Sequence, residues 1–295
     1  MEETGSIKHC RIAIFSLFLL TSLLAAGCAE LQAVRTFAKT SAATADYRQI
    51  VNDYVESPTR QQRYLPDRYA AQLASTTAKR AGQKTLLEGS QRVLAGYLNA
   101  LGDLAADDLP DVDSEIDGFA KALETAGFAG YGDAAIRKET ATAAGRIAKV
   151  LTRAVLDHWR QYRVQEIIRE TDGNVQAVAA GLREIVLKDF NASLDIEAEV
   201  VRKYFESSIA AAKSRNDAEA VPPLARILMQ EHLERIRERR DRLSSYAEIL
   251  EKIGKGHADL LANIDKLEDK ALQKRLEKFA KDLRILYKAI QEIAG

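Results

Sequence analysis

The chain has 295 residues, of which 46% are hydrophobic, so it can bury a core of ordinary size and is not disordered throughout. Its 43 basic and 43 acidic residues cancel, which excludes the excess of positive charge typical of nucleic-acid-binding proteins. With five prolines and 16 glycines it has few helix breakers, so we expect long helices and an all-α fold.

The first predicted element is an export signal. Lys8, His9 and Arg11 precede the uncharged run 12–24, and the small residues 25–27 follow it. This run is shorter than the roughly 20 apolar residues that a transmembrane helix requires. We therefore predict that residues 1–27 are a signal peptide; the alternatives are an uncleaved N-terminal anchor and cleavage by the ordinary signal peptidase.

The signal ends in Leu24-Ala25-Ala26-Gly27-Cys28. This pentapeptide resembles the lipobox of bacterial lipoproteins, in which signal peptidase II cleaves before the cysteine and acyl chains are attached to it. The resemblance is confined to the first 28 residues, and it implies lipid attachment at Cys28. By similarity to sorted lipoproteins of Gram-negative bacteria, Ala29 in place of aspartate implies the periplasmic face of the outer membrane.

The mature chain is expected to consist of a lipidated N-terminus and tether, residues 28–45, and a helical domain, residues 46–295. Cys10 would be removed with the signal, so the domain would be stabilised by packing and not by a disulfide.

Pro58 and Pro66 predict a break between helices, because proline lacks a backbone donor and disfavours helical geometry in the residue before it. A long helix is then expected from Arg68 to about residue 106.

The next segment allows two interpretations. The positions of an EF-hand-like calcium loop would be occupied by Asp113, Glu115, Asp117, Gly118 and Glu124. The apolar face of a short amphipathic helix would run through the same residues, at Ile116, Phe119, Ala120 and Leu123. Because Ala120 stands where the loop requires a branched aliphatic residue, we favour the helix and predict no metal site.

Two long helical segments are predicted at about 134–170 and 175–213, divided by the turn-favouring residues 171–174, and Pro222-Pro223 should begin the next helix. The C-terminal third has apolar residues at heptad spacing, and the phase of this pattern shifts near residue 264. We expect a helix, a reversal near Asn263–Asp265 with Asp265 and Glu268 as a capping box, and a returning helix. The predicted fold is an elongated bundle of long antiparallel helices with coiled-coil-like packing.

Candidate sites of chemistry are few. His158 and Trp159 are expected at a helix interface, and His232 has no second histidine four residues on, as the H-E-x-x-H zinc motif requires. His257 falls on the heptad seam beside Gly254 and Gly256, so we predict a structural role in the core.

A basic cluster lies at residues 235–242, where the heptad pattern begins. Its arginines are Arg235, Arg237, Arg239, Arg240 and Arg242, and the residues interleaved with them are Glu231, Glu234, Glu238 and Asp241. Spacings of three and four allow ion pairs along one helix, so we expect a solvated, paired face. The alternative is a site for an anionic lipid or glycan.

These features predict a lipid-anchored periplasmic protein that is a structural, spacer or protein-interaction module of the cell envelope. We expect no enzymatic activity and no cofactor; the expected partners are the membrane, through Cys28, and other envelope proteins, with no nucleic acid. The alternative is a ligand-binding protein or enzyme with a site between helices near His158, Trp159 and Tyr162. A pore-forming protein is a third hypothesis, against which no mature segment is apolar enough to enter a bilayer.

Overall fold

The computed structural model describes residues 31–108, 138–157, 159, 161–215 and 219–294. These residues form eight α-helices and no strand, which confirms the predicted all-α bundle. The helices are α1 Gln32–Ala45, α2 Arg48–Gln62, α3 Ala70–Ala105, α4 Lys138–Leu156, α5 Val164–Ile185, α6 Asn191–Ser214, α7 Val221–Ala262 and α8 Lys270–Ala294.

The bundle has two halves that share its longest helices, α3 and α7. In the proximal half, α1, α4, α5 and α8 surround the C-terminal parts of α3 and α7; in the distal half, α2 and α6 pack against their N-terminal parts. With 42 residues, α7 is about 63 Å long. The molecule is therefore elongated, as its helical pattern predicts.

The predicted C-terminal hairpin is confirmed. Helix α7 ends at Ala262, a short 3-10 turn follows at Ile264–Lys266, and α8 begins at Lys270. The hairpin is centred on residue 267 and not on 264, because Lys252 pairs with Asp282 and Arg275 pairs with Asp259. Both heptad seams face the core and bury Leu243, Leu250, Ile253, Leu260, Leu276 and Leu283.

The predicted capping box is wrong. The side chain of Asp269 caps α8 by accepting the backbone N–H groups of Ala271 and Leu272, at 2.9 and 3.0 Å. Asp265 instead pairs with Arg169 of α5, at 2.6 Å.

The N-terminal part of the domain differs from the expected tether. Residues 32–45 form α1, which packs against α3, α7 and α8. Val34, Phe37 and Ala38 are fully buried. Most of the buried residues of α1 are small. The sequence of α1 therefore lacks the stripe of large aliphatic residues that would predict a core helix. In the sequence, three residues separate Cys28 from Gln32, the first residue of α1.

Pro58 does not end a helix, contrary to the prediction; it lies inside α2 and is buried. Proline has no N–H to donate to the carbonyl four residues earlier, which belongs to Tyr54. Arg80 of α3 supplies the missing donor, because its Nη1 donates to the Tyr54 carbonyl at 2.8 Å. The break occurs beyond Gln62, around Pro66.

The turn predicted at residues 171–174 is also wrong, since α5 runs through it from Val164 to Ile185. The chain leaves the α-helix earlier, between Leu156 and Val164, and α5 continues through a π-helical turn, Val186–Phe190, into α6. Helix α7 begins with Pro222 and Pro223 in its first turn, as predicted.

Helix α3 ends where the sequence predicts. Asp107 has a left-handed backbone, with φ of 58°, and the N–H of Asp108 donates to the Asp103 carbonyl at 2.9 Å. This is the pattern of a Schellman C-cap. The calcium-loop alternative at Asp113–Glu124 and the amphipathic helix that competes with it lie outside the described residues.

Candidate functional site

Two residues of the alternative ligand site, Trp159 and Tyr162, lie in different environments. Trp159 is 2% exposed, and the guanidinium groups of Arg153 and Arg163 cover its ring at 5.3 and 4.5 Å from the centroid. Tyr162 is 79% exposed. His158 lies outside the described residues, as does Cys28. A buried indole and a solvent-exposed phenol do not line a shared pocket.

The structure confirms that His257 lies in the core, as predicted. It is fully buried, and its Nε2 and Nδ1 lie 2.7 Å from Tyr97 Oη and from Asp172 Oδ1. An ionised carboxylate can only accept hydrogen bonds, so Nδ1 carries a proton and donates to Asp172. In the neutral ring, Nε2 then accepts from the Tyr97 hydroxyl. The helices α3, α5 and α7 meet in this chain of polar groups.

The chain of hydrogen-bonded polar groups extends to both sides of His257. The Thr171 hydroxyl lies 2.7 Å from Tyr97 Oη and 2.6 Å from the Ile167 carbonyl. At the other end, Gln176 donates to Asp172 Oδ1 at 3.1 Å and to the Gly254 carbonyl at 2.9 Å. Polar groups that are buried together in this way satisfy one another and fix the register of the helices that carry them.

The two titratable partners of His257 have shifted pKa values. Burial raises the pKa of Tyr97, so it stays a neutral hydroxyl. The hydrogen bond from His257, followed by that from Gln176, lowers the pKa of Asp172. The arrangement has a positioned imidazole and a carboxylate, but the fully buried ring leaves no space for a substrate atom beside its nitrogens. Its geometry supports a structural role.

The basic cluster of α7 is divided between two roles. Arg235 and Arg237 pair with Glu231 and Glu234 on the same helix, as predicted. The other three arginines pair with different helices: Arg239 with Glu197, Arg240 with Asp195 and Arg242 with Asp53. The cluster is therefore not one solvated face, because the partners of these arginines come from α2 and α6.

Glu197 is the centre of this interhelical network. It is 3% exposed and accepts two hydrogen bonds from Arg60, at 2.9 and 3.0 Å, one from Arg239 at 3.3 Å and one from Ser57 at 3.1 Å. Burial, and next the positive charge of Arg60, lower the pKa of Arg239. The neighbouring cavity measures about 10 Å³, which is too small for any ligand larger than a water molecule.

An open groove of about 580 Å³ lies over α7, between α5 and α8. A second hollow of about 390 Å³ continues it and shares Arg183, Glu251 and Lys255 with it. Helix α7 contributes nine residues to the two hollows, and four of them are small. These small residues are Ser244, Ala247, Gly254 and Ala258.

Ion pairs line the rim of this groove. Glu251 pairs with Arg183 at 2.9 Å and with Lys255 at 2.5 Å, and Lys252 pairs with Asp282 at 3.1 Å. The floor, which includes the four small residues of α7, thus lies between charged edges. Along α7 it extends about 21 Å, which is the length of roughly four helical turns. Such a surface can accept a helix, whereas it offers no convergent set of catalytic groups.

No three His, Cys, Asp or Glu side chains of the described ranges are grouped as metal ligands. His232 packs instead on the rings of Phe205 and Tyr64, at 5.8 and 5.5 Å between centroids. None of the described helices combines the length and the apolar character needed to cross a bilayer.

The chain matches no family model, no curated protein and no solved structure.

Proposed function

We propose that this protein is a lipid-anchored component of the cell envelope, held at the periplasmic face of the outer membrane by acyl chains on Cys28. Its helical bundle would be a structural, spacer or protein-interaction module that works without catalysis. The observation that carries the anchor is the sequence LAAGC at residues 24–28, directly after an apolar run of signal-peptide length.

The position of α1 supports a short anchor. Gln32 begins a helix that packs into the core, and it follows Cys28 by four residues. Four residues of fully extended chain span at most about 14 Å. Acyl chains on Cys28 would consequently hold the proximal half of the bundle close to the membrane surface.

The groove over α7 supports the interaction role. Four small residues of α7 would let another helix approach closely, and the charged rim would select its register and partner. The groove is mostly apolar at its floor and long enough for about four helical turns. A helix of another envelope protein is the occupant that this geometry fits.

Metabolic labelling with palmitate tests the anchor. We expect label in the wild-type protein, none after Cys28→Ser, and accumulation of a precursor that is longer by residues 1–27. Cys10→Ser is the matched control, because it replaces the other cysteine and should leave labelling unchanged. Label that persists in Cys28→Ser would refute the proposal.

Site-specific photo-crosslinking in intact cells tests the interaction role. A photoreactive residue at Ser244, which is exposed in the groove, should give a discrete adduct with another protein. The same residue at Ala210, which is exposed on α6 away from the groove, should not. Absence of a protein adduct at Ser244, or the same adduct at both positions, would contradict the interaction role.

A further inference from the structure

The last helix differs in charge from the rest of the chain. Over Lys270–Ala294 there are seven basic and three acidic residues, whereas the whole sequence carries 43 of each. A net charge concentrated in one helix of a neutral protein indicates a surface that meets negative charge.

The lysines of α8 lie on one face. At 3.6 residues per turn, five of them fall within an arc of about 80° that extends about 27 Å along the helix. This lysine face consists of Lys270, Lys274, Lys278, Lys281 and Lys288. All five are exposed, and the buried Leu276, Leu283 and Ile290 lie on the opposite side of the helix.

Most of the lysine face is not neutralised within the protein. Lys288 pairs with Glu292, but Lys270, Lys274, Lys278 and Lys281 form no ion pair with any residue in the described ranges. The acidic residues on the same side are Glu277 and Glu292, which leaves a net positive charge.

An exposed apolar residue lies among these lysines. Ile285 is 57% exposed and falls inside the same arc. A helix with cations on long side chains around an apolar residue has the character of an interfacial helix, in which the apolar group enters the headgroup boundary.

The lysine face also lies near the anchored end of the chain. Helix α1 runs beside α8 in the same direction, because Phe37 contacts Phe279 at 6.3 Å between ring centroids, and Tyr47 contacts Tyr287 at 6.5 Å. The start of α1 is therefore next to the N-terminal half of α8. A membrane that receives acyl chains from Cys28 would pass within about 14 Å of Gln32.

We propose that the lysine face docks α8 on anionic phospholipid headgroups of the membrane that holds the Cys28 acyl chains, so that the bundle lies along the surface. This inference rests on the proposed function, since the acyl chains define which membrane is near. Each lysine close to an anionic surface favours docking by about fivefold, so five of them suffice to orient a protein that is already anchored.

Lysine acetylation of the acylated protein tests the proposal. The mature protein is placed in vesicles of neutral phosphatidylcholine, or of the same lipid with about 30% phosphatidylglycerol, and a water-soluble acetylating reagent is added. We expect Lys274 and Lys281 to react at least about threefold more slowly in the anionic vesicles, and about 0.5 M NaCl to remove the difference. Lys203, which is 74% exposed on α6, is the internal control and should react equally in both.

The variant Lys274→Gln/Lys281→Gln sharpens the result, with Lys188→Gln/Lys203→Gln as a matched control. In the first variant, protection of Lys270 and Lys278 should fall, whereas the second should retain it. Equal acetylation of the lysine face in both kinds of vesicle would overturn the proposal. Failure of the protein to float with neutral vesicles would instead show that the anchor itself is absent, so the two failures are distinguishable.

Discussion

The proximal and distal halves of the bundle are stabilised by different interactions. The proximal half buries aliphatic seams from α7 and α8 around one polar chain, centred on His257. The distal half joins α2, α6 and α7 through the carboxylate of Glu197 and the guanidinium groups of Arg60 and Arg239. The proximal half therefore has the more extensive aliphatic core, and the distal half has the more deeply buried ion pairs.

The difference follows from how much side-chain surface each half can bury. No residue of α3 before Gln83 is buried, and none of α7 before Ile236. Leu224 and Ile227 near the start of α7 are 58% and 60% exposed. With less apolar area removed from water, the distal half depends more on specific ion pairs, whose loss leaves uncompensated charges.

Replacing Glu197 should have the largest effect. Glu197→Gln leaves Arg60 and Arg239 without their counter-ion, and we expect a loss of about 3–5 kcal/mol in the free energy of unfolding. Hydrogen exchange should accelerate in α2 and α6 before it does in α1 and α8. Urea denaturation and exchange mass spectrometry measure both effects.

The matched control for this variant is Glu199→Gln, whose parent residue pairs with Arg202 and Lys203 on the surface. Exposed pairs of this kind contribute little, so the stability of this variant should stay close to that of the wild type. If Glu197→Gln accelerates exchange equally in both halves, the two halves are not stabilised by different interactions.

Two glycine substitutions should act in opposite directions in the proximal half. A Cβ at Gly256 would lie 2.3 Å from atoms of the Phe37 ring, so Gly256→Ala should destabilise the protein by about 1–3 kcal/mol. A Cβ at Gly173, inside α5, meets nothing within 4 Å. Gly173→Ala should therefore stabilise it by roughly 0.5–1 kcal/mol. Thermal unfolding of both variants is the check, and the same sign for both would contradict the packing described for α1 against α7.

Tyr97→Phe removes the hydroxyl that joins His257 to Thr171. The His257 nitrogen would be left buried without a partner, at a cost of about 1–3 kcal/mol. Because the ring still fills its space, the fold should be retained, and exchange should accelerate in α5 and the C-terminal part of α7. Thr77→Val, at a half-buried position that does not belong to the polar chain around His257, is the control. No change in stability for Tyr97→Phe would show that the polar chain contributes nothing to the proximal half.

The smallest expected effect is on the dependence of stability on pH. Since the hydrogen bond from His257 lowers the pKa of Asp172, the folded protein keeps this carboxylate ionised where the unfolded chain binds a proton. Its contribution is complete above the unfolded pKa of about 3.9 and is lost as the pH falls through the lower folded value. The stability gap between wild type and Asp172→Asn should accordingly narrow below about pH 4.

Urea unfolding at several pH values measures this gap. Asp108→Asn, at an exposed position, provides the control and should follow the wild type throughout. A gap that stays constant into strong acid would mean that the interaction between Asp172 and His257 does not depend on the charge of the carboxylate.

The predictable parts of the fold are those determined by local spacing. The heptad seams of α7 and α8 and the Pro222-Pro223 start depend on residues close together in the sequence, and the structure confirms them. The turn predicted at 171–174 failed because Thr171 and Asp172 hydrogen-bond to Tyr97 and His257, which are 74 and 85 residues away. Turn-favouring side chains were thus used for tertiary contacts within a helix.

Long-range partners explain the other differences. Pro58 remains in a helix because Arg80, from a different helix, donates to the Tyr54 carbonyl. Arg239 pairs with Glu197, 42 residues away, and no spacing along α7 indicates that partner. The sequence predicted that His257 is structural, but it contained no signal that would identify Tyr97 and Asp172 as its neighbours.

Acyl chains on Cys28 would place the proximal half, and not the distal half, next to the membrane. Mass spectrometry of the N-terminal peptide of the mature protein, purified from membranes, tests this proposal most directly. We expect the peptide to begin at Cys28 and to carry the added mass of acyl chains. A mature N-terminus at any other residue, or an unmodified Cys28, would contradict it.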